Sequence, residues 1–595
     1  MGMLFVFYMT SFGYIVLSFF LIFISLINLF LFSSFHIRKR IGIVFFISIV
    51  FLIGLLALIK SDIDKTINCS KTSDEFAKIV SKENLFSQIN FYKTLNGYLA
   101  RINCRGATTI LDNSESLEVF LKQGLYTMPY SINKKGAVAI IGSGAGIEVQ
   151  RAIAMDYERI MAIEINKNII DVVNKAVAEN QNPYNNEKVE LTIGEGRSFI
   201  KNNNEKVDLI YIAHSKRYGV VGSNSFNLMA NYLFTKEAMG EYYDNLKDDG
   251  VLALINYNFF IPYNISTLFS FIKDSGIDYN DNLIVIEEKV GDDGLSSGAG
   301  ISLLLFKKNG FKNRDIELMK EHESNIKINV LQDDGREIKS TEILTDNRPY
   351  FANLVSFLNF MDFSTKDKSM HISKEANWAS SLLFFYLKIS LIPLFLFFIS
   401  IFYFYFKNKE TRAIEMSIIF FFIALGFIFV ELGYLNSLFL VFENPSFSFS
   451  FLLFIFILFA GLGSFLGGVY ESFFVRHMSK VLFGLSILLF LNYFFLENIL
   501  KIIERQSILS IKISIIIFII GIPSIFIGSI FPTFTKKLSE TNKDILIFVY
   551  YIDSIISIFA GIIALIISVL FGFKLLFLIG GFCYFSLIIF SINKK

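Results

Sequence analysis

The chain has 595 residues, of which 53% are hydrophobic and 16% aromatic, and its net charge at pH 7 is +2. This composition excludes an ordinary soluble protein, whose apolar fraction is about 45–50%, and the near-neutral charge gives no indication of a nucleic-acid partner. Apolar stretches close to the ~20 residues that cross a bilayer recur along the chain. They predict nine membrane spans, at 4–32, 41–59, 380–406, 416–442, 449–470, 481–500, 513–534, 545–571 and 575–592.

These spans divide the chain into a two-helix transmembrane hairpin (1–60), a soluble part (61–375) and a seven-helix transmembrane block (376–595). Within the soluble part, we expect 61–135 to be β-rich and 136–375 to be a Rossmann-like nucleoside-binding domain.

The first clear element of the soluble part is a β-hairpin. Residues 85–102 alternate apolar and polar side chains on both sides of Asn96-Gly97. Asn-Gly is favoured in two-residue hairpin turns because both central positions need φ > 0. The pattern therefore predicts two antiparallel strands joined at this dipeptide.

The most informative motif follows at residues 138–146. One apolar run ends in Gly142, Gly144 and Gly146, and a second ends about twenty residues later in Glu164. Glycines allow φ > 0 and a close approach of backbone to ligand, and an acid at the tip of the second strand accepts hydrogen bonds from ribose hydroxyls. The motif predicts a nucleoside site. A turn without a ligand and a solvated strand-end acid are the plainer alternatives.

From residue 136 onward strands and helices alternate, which predicts a parallel sheet with helices on both faces and a ligand at the carboxyl ends of its strands. The expected fold class is a multi-pass α-helical membrane protein with an inserted α/β Rossmann-like domain, of the S-adenosylmethionine methyltransferase type, after a small β-hairpin region. The predicted elements are strand 137–141, helix 146–155, strand 159–164, helix 167–179, strands 188–193 and 207–213, helix 235–247 and strand 250–256.

Loop charges indicate the side of the membrane on which the soluble domain lies. Loops opposite the domain hold 13 Lys and Arg residues, and loops on its own side hold 4. Since short loops rich in Lys and Arg stay in the cytoplasm, we expect an extracytoplasmic domain on a bacterial cell membrane. Cys69 and Cys104 are the two cysteines of the domain. Such a pair often forms a disulfide outside the cytoplasm, and two unpaired buried thiols are the alternative.

Segments beyond the glycine turn resemble a known family. Gly194-Glu-Gly-Arg197 ends the third strand, and the fourth runs into Ala213-His-Ser-Lys216. With 231–237 and 246–254, their order resembles the spermidine/spermine synthase family of polyamine aminopropyltransferases, in particular its bacterial branch fused to transmembrane helices. The fused branch is suggested by motifs at 344–350, 426–431, 461–464 and 521–532.

The donor in that family is decarboxylated S-adenosylmethionine, and the acceptor is a diamine such as putrescine. The resemblance therefore implies a site for an adenosyl sulfonium co-substrate, without a metal. Its residues would be Gln88, Gly142, Gly144, Glu164 and Glu195, together with Gly146 of the turn.

The diamine half of the family pattern is missing. Ala145 occupies the position of an Asp in the family's glycine loop, and Ala213 and Lys216 replace the two acids of its Asp-x-x-Asp. The family's Tyr-His pair is also absent from 115–130. Because those acids bind cationic amines and deprotonate the attacking one, the nucleoside half is kept and the acceptor is in doubt.

His214 is the candidate catalytic base, because it is the only group with a near-neutral pKa expected at the reaction point. An ordinary strand-end polar residue is the alternative. The leading hypothesis is a spermidine synthase-like membrane transferase with a small-molecule amine or a lipid-borne acceptor, in the lipid bilayer, with a homodimer as one assembly. A methyltransferase using S-adenosylmethionine, and a non-catalytic polyamine- or nucleoside-binding domain that regulates a transporter, remain open.

Two carboxyls are expected inside the membrane, Glu431 and Asp553. Acids in transmembrane helices usually have a partner or a function. Pro523 and Pro532 in one span predict a broken helix. No Cys/His cluster in the sequence is suited to zinc.

Overall fold

The structure is a computed structural model in which the soluble domain and the C-terminal helices are described. The predicted spans 4–32 and 41–59, and most of 380–406, lie outside the described residues. The described residues are 77–83, 88–102, 106–112, 121–122, 124–133, 135–212, 231–257, 261–277, 281–288, 301–322, 326–331, 343–350, 394–395, 397–399, 401–402, 411–442, 445–504, 509–541 and 543–592.

An antiparallel sheet of four strands begins the described part. The predicted hairpin is confirmed, but its turn lies one residue earlier than expected: Thr94 pairs with Gly97, so Leu95 and Asn96 form the turn and Gly97, with φ 141°, begins the second strand. The hairpin region is larger than expected, because a strand is added on each side. The strands are β1 (Ala77–Glu83), β2 (Gln88–Thr94), β3 (Gly97–Ile102) and β4 (Gly106–Leu111).

The second sheet has eight strands in the order β12-β10-β11-β9-β8-β5-β6-β7. Strands β5 to β9 are parallel, as predicted, but β10, β11 and β12 extend the sheet antiparallel. The expectation of a purely parallel sheet was therefore wrong, and the Rossmann-like domain has a mixed sheet. The strands are β5 (Ala137–Ile141), β6 (Arg159–Glu164), β7 (Val189–Ile193), β8 (Val207–Ile212), β9 (Leu246–Tyr257), β10 (Leu283–Glu288), β11 (Ile301–Lys307) and β12 (Ile326–Leu331).

Seven helices accompany these strands. Thr235 caps the fifth through a side-chain hydrogen bond to the backbone N–H of Ala238, which fixes its start. The helices are α1 (Met128–Ser131), α2 (Ile147–Ala154), α3 (Lys167–Ala176), α4 (Gly196–Asn202), α5 (Lys236–Asn245), α6 (Ile261–Asp274) and α7 (Asn313–His322).

Six long helices follow the Rossmann-like domain within the described residues 411–592. Five contain stretches long and apolar enough to cross a bilayer, and the sixth is a shorter apolar helix. They overlap the last six predicted spans, and Glu431 and Asp553 lie, half-buried, in the first and fifth. The helices are α8 (Thr411–Phe442), α9 (Pro445–Val469), α10 (Glu471–Glu504), α11 (Leu509–Thr541), α12 (Lys543–Phe571) and α13 (Lys574–Ile592).

Helix α11 runs unbroken through Pro523 and Pro532, so the prediction of a broken helix was wrong. Proline has no N–H, which deprives the carbonyl four residues earlier of its donor. At Pro523 that carbonyl belongs to Ile519, and the hydroxyl of Tyr434 donates to it at 3.4 Å. A hydrogen bond from a neighbouring helix thus compensates for the missing backbone donor.

One hydrophobic core joins the two halves of the protein. Ile210 and Leu254 of the sheet belong to the same buried cluster as Leu344, Tyr350 and residues of α8 to α13. The opposite face of the sheet packs against α2, α3 and the N-terminal sheet in a second cluster. This face of the Rossmann-like sheet packs against α4, α5 and α6, and the buried cluster continues from there into the apolar helices.

Candidate functional site

The strand order reverses between β5 and β8, which are neighbours in the sheet. In open α/β sheets such a reversal opens a crevice at the carboxyl ends of the strands, where ligands bind. The segments that leave this edge are the glycine turn after β5 and residues 213–230 after β8. Residues 213–230 lie outside the described part of the chain.

The glycine turn has the backbone conformation that the sequence predicted. Gly142, Gly144 and Gly146 have φ values of 78°, 60° and 122°, a region that favours glycine. Space is equally restrictive, since a Cβ on Gly144 would lie 2.5 Å from Oγ1 of Thr108 and one on Gly146 2.5 Å from Cγ of Pro183. The turn therefore accepts only glycine at these two positions.

Glu164 ends β6 and holds the glycine turn in place. Its Oε2 accepts a hydrogen bond from the backbone N–H of Gly144 at 2.9 Å, and its Oε1 accepts one from that of Asn166 at 2.7 Å. Burial raises the pKa of the Glu164 carboxyl, and these backbone donors oppose the rise. The carboxylate is thus oriented at the tip of the second strand, where the sequence placed it.

Tyr184 also secures the turn, and sequence reasoning missed it. Its hydroxyl donates to the carbonyl of Gly144 at 2.6 Å and lies 3.0 Å from Oγ of Ser143. Asn182 positions this residue by accepting a hydrogen bond from the Tyr184 backbone N–H at 3.1 Å. A Pro-Tyr pair between two elements carries no motif, so nothing in the sequence pointed to this contact.

Glu195, predicted to contact adenine, is the N-cap of α4. Its Oε2 accepts a hydrogen bond from the backbone N–H of Ser198 at 2.9 Å. Gly196 allows the start of α4 to pack on Ile141, because a Cβ there would collide with that side chain. Glu195 therefore has a structural role at the ligand edge, and contact with adenine stays a prediction.

Ala145, where the family has an acid, is fully buried. Its backbone N–H donates to Oγ1 of Thr108 at 2.9 Å, so the N-terminal sheet covers this position. Alanine at position 145 therefore provides no carboxylate that could bind an amine.

A buried polar cluster lies behind the turn. Glu148, in the first turn of α2, is 6% exposed, and its Oε2 is 3.4 Å from the hydroxyl of Tyr130 and 3.6 Å from Nε of Arg151. Tyr130 stacks on Tyr211 of β8, with ring centroids 5.0 Å apart. Burial raises the pKa of Glu148 to about 7, although Arg151 opposes the rise. No sequence motif indicated this cluster.

Several predicted residues cannot be placed. His214, Ala213, Lys216, Cys69 and Cys104 lie outside the described residues. Gln88 begins β2, paired with Glu83. Among the described residues, no group of three or more His, Cys, Asp or Glu is arranged to hold a metal ion.

A short segment, residues 343–350, ties the ligand edge to the apolar helices, and we call it the junction segment. The guanidinium of Arg197, in the first turn of α4, donates to Asp346 at 2.6 and 3.0 Å and to Glu241 at 2.6 and 3.0 Å. The hydroxyl of Thr235 also donates to Asp346, at 2.7 Å. The ion-pair network is buried, and breaking such a pair costs about 3–5 kcal/mol.

The junction segment is also bonded to the helices. The side-chain oxygen of Asn347 accepts a hydrogen bond from the backbone N–H of Lys574 at 3.0 Å, and its carbonyl accepts one from Phe573 at 3.1 Å. Beside it, the hydroxyl of Tyr232 donates to the carbonyl of Asn436 in α8 at 3.2 Å. The junction segment and Tyr232 therefore connect the carboxyl edge of the sheet to the helical block.

The strand order and the glycine turn define a Rossmann-like α/β domain. Residues 119–274 match the family model "Spermine/spermidine synthase domain". This match confirms the family resemblance that the motifs indicated for this part of the chain.

Curated proteins similar to this chain are named polyamine aminopropyltransferases. A polyamine aminopropyltransferase of Clostridium perfringens is 28% identical over 117 residues, which are 20% of this chain and 38% of the relative. One from Lachnoclostridium phytofermentans is 25% identical over 181 residues, 29% of this chain and 58% of the relative. The chain thus spans about two fifths to three fifths of the length of these relatives.

The solved structures that resemble the chain include the spermidine synthase of Thermotoga maritima. It is 15% identical, with a TM-score of 0.30, and the match covers 44% of this chain and 84% of that structure. A probable spermidine synthase from Corynebacterium glutamicum is 11% identical, with a TM-score of 0.34, covering 45% and 96%. Similarity at this level supports no conclusion about the site.

Proposed function

We propose that the protein is an integral membrane, spermidine synthase-like transferase that uses an S-adenosyl-type donor and an acceptor other than a free diamine. The observation that carries the proposal is the glycine turn, closed by Thr108 and Tyr184 and held by the carboxylate of Glu164. The family match of residues 119–274 supports transferase chemistry. The five helices long enough to cross a bilayer support a membrane location.

The donor would lie along the turn. The glycines leave the backbone open to close approach, and the Glu164 oxygens, each with a lone pair beyond the one used by a backbone amide, would accept the ribose hydroxyls. Decarboxylated S-adenosylmethionine is the donor that we favour, because the similar curated proteins are named aminopropyltransferases and this donor carries an aminopropyl group. S-adenosylmethionine is the other candidate, since the fold is shared with methyltransferases.

In the transfer, the lone pair of an acceptor amine would attack the carbon bonded to the sulfonium. The carbon–sulfur bond breaks, its electron pair stays on sulfur as a neutral thioether, and the amine loses one proton. We propose that His214 takes this proton as general base, because it follows β8 at the ligand edge.

A free diamine is a poor acceptor for this site. A diamine is a dication at neutral pH, and an unpaired charge in a closed pocket is heavily penalised. Ala145 is buried and carries no carboxylate, and Ala213 and Lys216 replace the two remaining acids of the family pattern. The acceptor is therefore proposed to be a different amine, either a small molecule or one carried by a lipid.

Binding to the full-length protein in detergent tests the donor. Calorimetry with decarboxylated S-adenosylmethionine, S-adenosylmethionine and adenosine separates the candidates, and analysis of the thioether product identifies the transferred group. Methylthioadenosine as product supports aminopropyl transfer, whereas S-adenosylhomocysteine indicates the methyltransferase. Binding without any product favours the non-catalytic sensor of a transporter, and no binding refutes the proposal.

The side of the membrane is proposed from the loop charges, which favour an extracytoplasmic domain with a Cys69–Cys104 disulfide. A topology reporter fused after Glu375 and thiol alkylation of intact cells, read on reducing and non-reducing gels, test both points. A cytoplasmic reporter signal together with two free thiols would contradict them.

A further inference from the structure

The ligand edge of the Rossmann-like sheet is not open to water on all sides. Arg197 and Tyr232, which lie at this edge, are bonded to the junction segment and to α8 respectively. The same hydrophobic cluster continues from the sheet into the apolar helices. A substrate that approaches the edge from this side therefore comes from the region of the bilayer surface.

The uncharged polar side chain of Asn264 lies near this edge. Asn264 lies in the first turn of α6, which starts four residues after β9 ends, so the side chain is near the carboxyl end of β9. It is 0% exposed, and neither Oδ1 nor Nδ2 has a hydrogen-bond partner among the described residues. A buried amide that pairs with nothing is unfavourable, which indicates a ligand that supplies both a donor and an acceptor.

The junction segment contacts α6 one turn away from Asn264. Thr267, three residues further along α6 and therefore on the same side of the helix, accepts a hydrogen bond at Oγ1 from the backbone N–H of Leu344 at 3.1 Å. Strand β9 is the second neighbour of β5 in the sheet, so about 10 Å separate the two strands. A head group of a few atoms could span from Asn264 to the donor on the glycine turn.

We propose that the acceptor is the primary amine of an aminophospholipid, with Asn264 as a residue that binds its head group. The proposal rests on the transferase function proposed above. Oδ1 of Asn264 would accept an N–H of the amine, and Nδ2 would donate to a phosphate or ester oxygen beside it. The acyl chains would stay among the apolar helices.

The reaction balances without a further reagent. The lipid amine nitrogen bonds to the aminopropyl carbon, the carbon–sulfur bond breaks, and sulfur keeps the electron pair in methylthioadenosine. One proton leaves the nitrogen. The products are an N-aminopropyl lipid, methylthioadenosine and a proton.

The experiment uses the full-length protein reconstituted in phosphatidylethanolamine vesicles with decarboxylated S-adenosylmethionine. Mass spectrometry should find the aminopropyl group on the lipid. Two parallel reactions use phosphatidylcholine vesicles, whose quaternary amine cannot be attacked, with soluble phosphoethanolamine or putrescine added. Methylthioadenosine formed only in these soluble reactions overturns the lipid acceptor and leaves the transferase intact, whereas no donor binding in any reaction refutes the proposed function itself. Donor binding without a lipid product also overturns the lipid acceptor.

The substitution Asn264→Leu tests the residue. Without ligand, the variant should unfold at a temperature equal to or above that of the wild type, while the KM for phosphatidylethanolamine rises at least tenfold and the donor Kd is unchanged. Asn282→Leu is the matched control, because Asn282 is also buried but its amide donates to the Lys308 carbonyl at 2.9 Å. The control should lower the unfolding temperature and leave KM unchanged. A loss of stability in Asn264→Leu, or an unchanged KM, overturns the role of Asn264.

Discussion

Replacing Glu164 with Gln is the sharpest test of the donor site. The carboxylate accepts the backbone N–H of Gly144 at 2.9 Å and that of Asn166 at 2.7 Å, with one oxygen each. Glutamine keeps the shape but offers one oxygen and one NH₂ group, so one backbone donor then faces another donor. The side chain therefore keeps only one of its two backbone hydrogen bonds, to Gly144 of the glycine turn or to Asn166.

The magnitude follows from the hydrogen bonds. A bond to a charged group contributes about 1.5–3 kcal/mol, which corresponds to roughly a ten- to hundredfold change in affinity. We expect Glu164→Gln to weaken binding of the adenosyl donor by this factor, and Glu164→Ala to weaken it at least as much. Isothermal titration calorimetry of the full-length protein measures the effect.

Glu190→Gln is the control for this experiment. Glu190 lies on the neighbouring strand β7 and pairs with Arg159 at an exposed position, away from the glycine turn. Its substitution should leave the donor Kd unchanged. Unaltered donor affinity in Glu164→Gln, with the unfolding temperature also unaltered, would refute the reasoning that Glu164 organises the donor site.

Three further predictions concern the turn, the buried cluster and the acceptor. Tyr184→Phe removes the hydrogen bond to the Gly144 carbonyl, and since a neutral hydrogen bond contributes about 1 kcal/mol, donor affinity should fall roughly fivefold in the same calorimetric assay; a hundredfold loss or none would contradict this. The pKa of Glu148 is raised from 4.5 to about 7, so its contribution to the free energy of unfolding is fully present below pH 4.5 and is lost as the pH rises through 7. The loss amounts to about 3 kcal/mol. Thermal unfolding from pH 5 to pH 8 should show this loss of stability in the wild type and not in Glu148→Gln, and an equal dependence of stability on pH in both proteins would disprove it. Putrescine should support turnover well below ~1 s⁻¹. The rate of transfer to it should rise with pH as the His214 imidazole is deprotonated. Fast turnover that persists in His214→Ala would contradict both the poor use of putrescine and the role of His214 as base.

The elements that sequence reasoning found are those in which the local conformation restricts the residue type. Gly142, Gly144 and Gly146 were recognisable because their φ values are positive, and so is that of Gly97 at the end of the hairpin turn. Glu164 followed from its place after the second strand. Such requirements act over a few residues, so they leave a pattern in the sequence.

The mixed sheet shows where local patterns fail. Strands β10 and β12 pair antiparallel with each other, and β11 pairs antiparallel with β9. Buried parallel and antiparallel strands both consist of short apolar runs, so their direction is set by the connections and by packing. The expectation of a parallel sheet therefore held only for β5 to β9.

The sequence by itself determined the long apolar stretches, the glycine turn and the carboxylate that follows it, because each depends on neighbouring residues. Only the tertiary structure decided that Tyr184 closes the turn from 40 residues away and that Arg197 pairs with Asp346, 149 residues distant. It also left Asn264 buried near the ligand edge, without a hydrogen-bond partner among the described residues. Contacts of this range arise when the sheet, the junction segment and the apolar helices pack together, and no single stretch of sequence records which side chains that packing brings into contact.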